Sequence, residues 1–128
     1  MMKKSEKGYY MDKTYNIKMT KRFERAIKAV NSEDKRLTAT IIKKIEILED
    51  NKIEQLDIEQ IKRKGSHHRI MELKIKSPQN YRVFYVYLLE QNNEILLVDG
   101  RRKKVNKFPN RYFEDLDRVI EDYLNTHE

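Results

Sequence analysis

The alternation of apolar and polar positions predicts one short strand and two helices in the first part of the chain. Tyr15, Ile17 and Met19 alternate with polar residues, as on one face of a strand. Apolar residues then recur every three or four positions, which is the period of an amphipathic helix. The two apolar stripes consist of Phe23, Ala26, Ile27 and Val30, and of Leu37, Ile41, Ile45 and Leu48. Thr20 and Ser32 are suited to cap these helices.

After Gly65 the pattern changes to that of strands and returns to a helix near the end. Residues 71–76 alternate between apolar and charged types, and residues 81–89 are rich in β-branched and aromatic side chains. Residues 95–98 form a third apolar run, and helical spacing resumes after Pro109. The order β, α, α, β, β, β, α predicts an α+β fold, in which two N-terminal helices pack on a twisted antiparallel sheet that is followed by a C-terminal helix.

Length and composition limit the chain to one domain. We expect residues 1–13 to form a flexible N-terminal arm and residues 14–128 to form a single domain. The arm has no apolar stretch typical of a secretory signal, and the longest apolar run, residues 83–89, is too short to span a bilayer. No cysteine is present, so disulfides and thiolate metal sites are excluded. These features favour a soluble protein of the cytoplasm, without membrane association.

The net charge of +7 favours a polyanionic partner. The excess of basic residues falls in two segments. The first contains Lys62, Arg63, Lys64, Arg69, Lys74 and Lys76, and the second contains Arg101, Arg102, Lys103, Lys104, Lys107 and Arg111. If the intervening strands are neighbours, both segments border one face of the sheet and form a positive patch for a phosphate backbone. The alternative is that these side chains only solvate loops.

Aromatic residues accompany the basic segments and are candidates for stacking on bases. We expect Phe84 to belong to the core, because a central strand is buried on one or both faces. Phe108 and Tyr112 flank the second basic segment and are the better candidates for exposed rings.

The residues permit RNA cleavage without a metal or a cofactor. The RNA 2′-hydroxyl is the nucleophile, and arginines stay protonated and can stabilise a phosphorane. Other cations surround Lys74, Lys76, Lys103 and Lys104, so we expect one of these lysines to have a lowered pKa and to act as base or acid. Glu72 is a second candidate base, or it forms an ion pair, and His67 and His68 titrate near neutrality. We expect no metal site, since adjacent histidines in extended chain diverge.

Three segments together resemble a known family. They are Met71-Glu72-Leu73-Lys74-Ile75-Lys76, Tyr81-Arg82-Val83-Phe84-Tyr85 and Arg102-Lys103-Lys104-Val105-Asn106-Lys107-Phe108-Pro109. In order and spacing they resemble the RelE-type toxin superfamily, and within it the phage-derived HigB-like toxins. The resemblance implies the fold expected above and a type II toxin that cleaves mRNA on the ribosome. It also implies a cognate antitoxin, expected to be a helix-turn-helix DNA-binding protein.

The resemblance also suggests roles for individual residues. Arg82 corresponds to the sheet arginine that holds phosphate, and Lys74 and Lys76 resemble the basic residues of the preceding strand. The expected catalytic set is Arg82, Lys74, Lys76 and Arg102. The expected RNA-binding set is Arg69, Arg101, Lys103, Lys104, Lys107 and Tyr112. The chain departs from the family pattern at Arg101 and Val105, and the assignment of general base and acid stays open.

Two other functions are compatible with the same sequence. One is a ParE-like toxin that inhibits gyrase by binding it. The other is a catalytically inactive module of phage origin that binds RNA or an antitoxin. The two departures from the family pattern leave the second function open, whereas the basic segments favour RNA as the ligand.

Overall fold

A computed structural model describes residues 14–63, 68–90, 92–104 and 107–127, with side chains to residue 126. The expected arm, residues 1–13, lies outside the described residues. Eight helices and strands and one short 3-10 turn are present in these ranges. In chain order they are β1 (Asn16–Met19), α1 (Lys21–Glu33), α2 (Lys35–Glu49), the 3-10 turn (Ile53–Gln55), β2 (Asp57–Gln60), β3 (Met71–Ile75), β4 (Tyr81–Leu88), β5 (Glu94–Arg102) and α3 (Asn110–His127).

The five strands form one sheet in the order β1-β5-β4-β3-β2, and the expected α+β class is confirmed. The sheet is antiparallel except at one edge, where β1 pairs with β5 in parallel. The sequence pattern missed β2 at the other edge. This strand has only one apolar residue, Ile58, in four, so its sequence carries almost no alternation.

Helices cover both faces of the sheet, and each cover has its own apolar core. On the face covered by α1 and α2, which we call the hairpin face, Phe23 and Leu37 pack against strand residues such as Val83. On the opposite face, which we call the α3 face, Leu116 packs with residues such as Phe84. Because β4 is buried on both faces, its sequence is continuously apolar apart from Arg82.

The two N-terminal helices begin at capping residues, of which the sequence identified one. Thr20 caps α1 as predicted, and its hydroxyl accepts a hydrogen bond from the Phe23 N–H at 3.0 Å. The expectation for Ser32 is wrong, because α1 continues past it to Glu33. Asp34 lies in extended backbone between the helices and accepts from the Leu37 N–H at 3.0 Å. A carboxylate is as good an N-cap as a hydroxyl.

A bulge in β5 determines which side chains face α3. Phe84 pairs with Asp99, whereas Tyr85 pairs with Leu97, so Val98 is an extra residue between them. A bulge of this kind shifts the alternation of the strand. Asp99 consequently lies on the α3 face, where its carboxylate contacts Tyr112 of α3.

Gly100 faces the ring of Tyr81 on the hairpin face. A Cβ atom here would lie 2.5 Å from Oη and 2.9 Å from Cε2 of Tyr81. The ring is 2% exposed and packed in the core, so it has little room to move. We therefore expect Gly100→Ala to lower the free energy of unfolding by about 1–3 kcal/mol, measured by urea denaturation. In a Tyr81→Leu background the same change should have a smaller effect, and an equal effect in both backgrounds would contradict this explanation.

Candidate nucleic-acid interface

A row of three basic side chains crosses the sheet where the cover by α3 ends. Lys74 of β3 pairs with Arg82 of β4, and Arg82 pairs with Arg101 of β5. The alternation of β4 places Arg82 on the same face as Phe84, which is the α3 face. Phe84 packs in the α3 core, whereas the row next to it does not. The basic row therefore marks the border between the covered and the open part of this face.

A cavity of about 540 Å³ lies along this border. We call it the basic groove. Its walls come from β2, β3, the segment after β2, the segment after β5 and the start of α3. The residues that line it are Glu59, Gln60, Ile61, Lys62, Arg63, Glu72, Lys74, Lys103, Lys107, Phe108, Pro109, Asn110 and Phe113. The fold thus brings members of both basic segments to one groove.

Two polar contacts fix the walls of the basic groove. The Lys103 N–H donates to the carbonyl oxygen of Asn80 at 3.1 Å, which ties the segment after β5 to the turn between β3 and β4. On the opposite wall, Nη2 of Arg63 contacts both carboxylate oxygens of Asp117, at 3.0 and 3.1 Å. Arg63 therefore joins the segment after β2 to α3. Two other cations of the groove, Lys62 and Lys107, have exposed side chains.

Lys74 is paired with a carboxylate from the strand that the sequence pattern missed. Its Nζ donates to Oε1 of Glu59 at 2.5 Å. The hydrogen bond to Glu59 raises the pKa of Lys74 above its ordinary 10.5, and the same contact lowers the pKa of Glu59. The expectation of a lowered lysine pKa is therefore wrong for Lys74, because the hydrogen bond to the neighbouring carboxylate outweighs desolvation.

Arg82 is buried beneath the basic groove in an ion pair with Glu72. Its Nε lies 3.0 Å from Oε2 of Glu72, although the N–H is not aligned for a hydrogen bond. Its Nη1 donates to the carbonyl oxygen of Tyr81 at 3.3 Å. Arg82 is 5% and Glu72 is 6% exposed. Glu72 thus forms the ion pair that was one of its two expected roles, and Glu72 lines the groove, whereas Arg82 does not. A direct contact between Arg82 and phosphate stays a prediction.

The expectation that the Tyr112 ring is exposed is wrong. The residue is 4% exposed, and its hydroxyl donates to Oδ2 of Asp99 at 2.5 Å. Burial, together with the charge of Asp99, raises the pKa of the Tyr112 hydroxyl. The guanidinium of Arg101 lies 5.0 Å from the centre of this ring. Tyr112 therefore supports the exposed Arg101 and leaves no open ring face that favours stacking on a base.

Arg102 lies on the other side of the sheet from Arg82. It pairs with Tyr81 in the register of β4 and β5, and Tyr81 belongs to the hairpin-face core. Its Nη2 contacts Oε1 of Glu33 at 3.0 Å, and its Nη1 donates to Gln79. The structure does not bring Arg102 together with Arg82 and Lys74.

Three further predicted residues occupy different places. Lys76 follows β3, is exposed, and lies 3.5 Å from Asp57. Lys104 is exposed beside Lys103. Arg69 precedes β3 at the opposite end from Lys74, and it lines a second cavity together with Tyr87. Lys76 and Lys104 are thus near the basic groove in sequence, whereas Arg69 belongs to another part of the surface.

Sequence reasoning missed the buried Asp99, which joins three elements. Besides Tyr112 of α3, it contacts Nε of Arg22 in α1 at 3.2 Å. A signal was present, since Asp99 is the acidic residue that follows an apolar run and is separated from the second basic segment only by Gly100. The bulge that turns Asp99 toward α3 has no such signal.

The histidines and acidic residues do not suggest a metal centre. His68 lies 2.7 Å from Oε2 of Glu121, on the second cavity rather than the basic groove. His67 lies outside the described residues. Within the described ranges, no group of three histidines and acidic residues is placed to hold a metal ion. In the same ranges, no helix combines the length and the apolar character needed to cross a membrane.

The ion pair between Arg82 and Glu72 predicts that removing one partner destabilises the protein more than removing both. Glu72→Gln leaves the Arg82 cation buried without its carboxylate, so the free energy of unfolding should fall by about 3–5 kcal/mol in urea denaturation. Replacing both residues by methionine removes both charges and should restore stability to near the wild-type value. A double variant as unstable as the single one would contradict the buried-charge explanation.

The contact between Lys74 and Glu59 predicts where the lysine titrates. NMR of the Lys74 side chain should show its midpoint above 10.5, and Glu59→Gln should move the midpoint down. The raised lysine pKa contributes stability that is lost as pH rises through the folded value, and the lowered glutamate pKa contributes stability that is lost as pH falls through its folded value. An unchanged midpoint in Glu59→Gln would show that the contact is not the cause.

Comparison with known proteins adds one relationship. A protein family described as "Phage derived protein Gp49-like (DUF891)" matches residues 28–119. This match covers most of the chain, from within α1 to within α3, and includes the basic groove. Searches of curated proteins and of solved structures found no match. The chain belongs to the phage-derived Gp49-like family.

Proposed function

We propose that this Gp49-like protein is a toxin that binds mRNA in the basic groove and cleaves it without a metal ion. The observation that carries the proposal is the convergence of Lys62, Lys74, Lys103 and Lys107 on one groove, although they belong to two separate segments. A phosphate backbone passing such a cluster releases counterions, which is the main source of affinity for a polyanion. The resemblance to HigB-like toxins supports mRNA as the polyanion.

The groove also holds the groups that phosphoryl chemistry needs. In the proposed reaction the 2′-oxygen attacks the adjacent phosphorus and the bond to the 5′-oxygen breaks, which leaves a 2′,3′-cyclic phosphate and a 5′-hydroxyl. A carboxylate accepts the 2′-hydroxyl proton, and a lysine ammonium donates a proton to the departing oxygen. The cations of the groove stabilise the charge of the phosphorane.

The raised pKa of Lys74 favours a carboxylate as the base. Lys74 has a raised pKa and is therefore protonated at neutral pH, so it suits charge stabilisation rather than proton abstraction. Glu59 and Glu72 line the same groove and are the candidate proton acceptors. Arg82, in contact with Glu72 at 3.0 Å, would act as a positioning residue for that carboxylate.

The proposal extends to the partners that the resemblance implies. The substrate would be mRNA on the ribosome in the cytoplasm, and a cognate antitoxin would neutralise the toxin. An acidic antitoxin segment that covers the basic groove would fit its charge.

One observation favours a second function. Glu59 and Glu72 pair with Lys74 and Arg82, so two expected catalytic cations are occupied by carboxylates. If these pairs persist when RNA binds, the protein would bind RNA without cleaving it, as an inactive phage-derived module does.

Removing groove lysines should weaken RNA binding in a salt-dependent way. For Lys103→Ala with Lys107→Ala, the slope of log affinity against log salt should fall by about 2, one unit for each phosphate contact. Fluorescence anisotropy of a labelled RNA oligonucleotide measures this. The matched control is Lys28→Ala with Lys43→Ala, which removes two exposed lysines from α1 and α2. Equal losses in both double variants would contradict a specific groove.

Expression in bacteria separates the candidate activities. Growth arrest with new mRNA 5′ ends that disappear in the Lys103→Ala, Lys107→Ala variant supports the nuclease. Arrest with intact mRNA would overturn the nuclease and favour a protein target such as gyrase. Salt-dependent RNA binding with no arrest, by a folded protein, would favour the inactive module.

A further inference from the structure

We propose that Phe108 is the stacking surface for one unpaired nucleobase, and that the basic groove therefore selects single-stranded RNA over duplex RNA. This inference rests on the proposed function, because it concerns how RNA lies in the same groove. It assigns the recognition of bases to a residue different from Tyr112, whose ring is buried.

The geometry of Phe108 suits this role. Its side chain is half-buried and lines the basic groove. Behind it, the Tyr112 ring stacks at a centroid distance of 5.3 Å and an interplanar angle of 28°. The Phe84 ring meets it edge-on at 5.3 Å and 88°. Both supporting rings are buried, so Phe108 is held in place before a ligand arrives.

The support behind Phe108 extends into polar contacts. Tyr112 cannot rotate away without losing the hydrogen bond of its hydroxyl to Asp99 at 2.5 Å. Asp99 is in turn held by Arg22 of α1 at 3.2 Å. A ring fixed in this way loses little conformational freedom on binding, which favours affinity.

The charges around Phe108 indicate what would stack on it. Lys107 precedes it in the chain, and Lys103 and Lys74 line the same groove. A phosphate backbone held by these lysines would carry its bases past the ring. Bases of a duplex are already stacked and paired, and side chains cannot read the deep major groove of an RNA helix. Only an unpaired base can offer its face to Phe108.

The chain contains no tryptophan, so Phe108→Trp introduces a single reporter at this position. A single-stranded RNA oligonucleotide should quench the tryptophan fluorescence. The same oligonucleotide without bases, and a duplex of the same sequence, should leave it largely unquenched. The matched control is Phe113→Trp, because Phe113 also lines the groove but is buried, so single-stranded RNA should leave its fluorescence largely unquenched.

Affinity measurements test the contribution of the ring. Phe108→Leu keeps an apolar side chain but removes the π-face, and it should weaken binding of single-stranded RNA by about 5- to 100-fold. Its affinity for the base-free oligonucleotide should be unchanged. Phe108→Tyr should bind single-stranded RNA like the wild type. If the leucine variant does not fold, the tryptophan quenching still decides.

The outcomes separate this inference from the proposed function. If the wild type binds no RNA, or binds it without salt dependence, the proposed function fails. If it binds single-stranded RNA with steep salt dependence, but the leucine variant binds equally and tryptophan is not quenched, only the stacking inference is overturned. Equal affinity of the wild type for duplex and single-stranded RNA would also overturn it.

Discussion

The incomplete cover of the sheet by α3 is the constraint on which the rest of the structure depends. Apolar contacts with α3 reach Phe84 and stop before the next row, which contains Lys74, Arg82 and Arg101. Charged side chains on the covered side need partners, because burying an unpaired charge is costly. Those on the open side can face solvent or a ligand. The basic groove lies where these two environments meet. The position at which α3 begins therefore determines which charged side chains line the groove.

The pair of Arg82 and Glu72 shows how a charge is accommodated at this border. Both side chains are nearly inaccessible, and desolvation can cancel most of the attraction between two buried charges. A buried ion pair is therefore a poor device for stability alone. The effect of the ion pair on the basic groove is more direct, because Arg82 holds the carboxylate of Glu72 at the groove wall. The arginine thereby sets the orientation of the carboxylate that is the candidate base of the proposed nuclease.

Much of the fold follows from hydrophobic period alone, whereas details of the site do not. The stripes through Phe23 and Leu37 indicate helices because both bury an apolar face. In contrast, β2 is stabilised by its pairing with β3. The single apolar residue of β2 does not predict this pairing. The burial of Tyr112 depends on the β5 bulge that turns Asp99 toward it, and a bulge has no period to detect. The sequence therefore predicted which segments carry charge, but not which charges find partners.

Those partners change the chemistry that the sequence suggested. A lysine among cations was the expected base, and its pKa was expected to be lowered. Glu59, from the edge strand β2 that the sequence pattern missed, instead raises the pKa of Lys74. Because Lys74 is held as a cation, proton abstraction in the proposed reaction falls to another group. The described lining of the groove contains two carboxylates, Glu59 and Glu72, and their surroundings differ. Glu59 is exposed and bound to a lysine, whereas Glu72 is buried against an arginine. The contact with Lys74 lowers the pKa of Glu59 and so weakens it as a base, which leaves Glu72 as the candidate proton acceptor of the proposed nuclease.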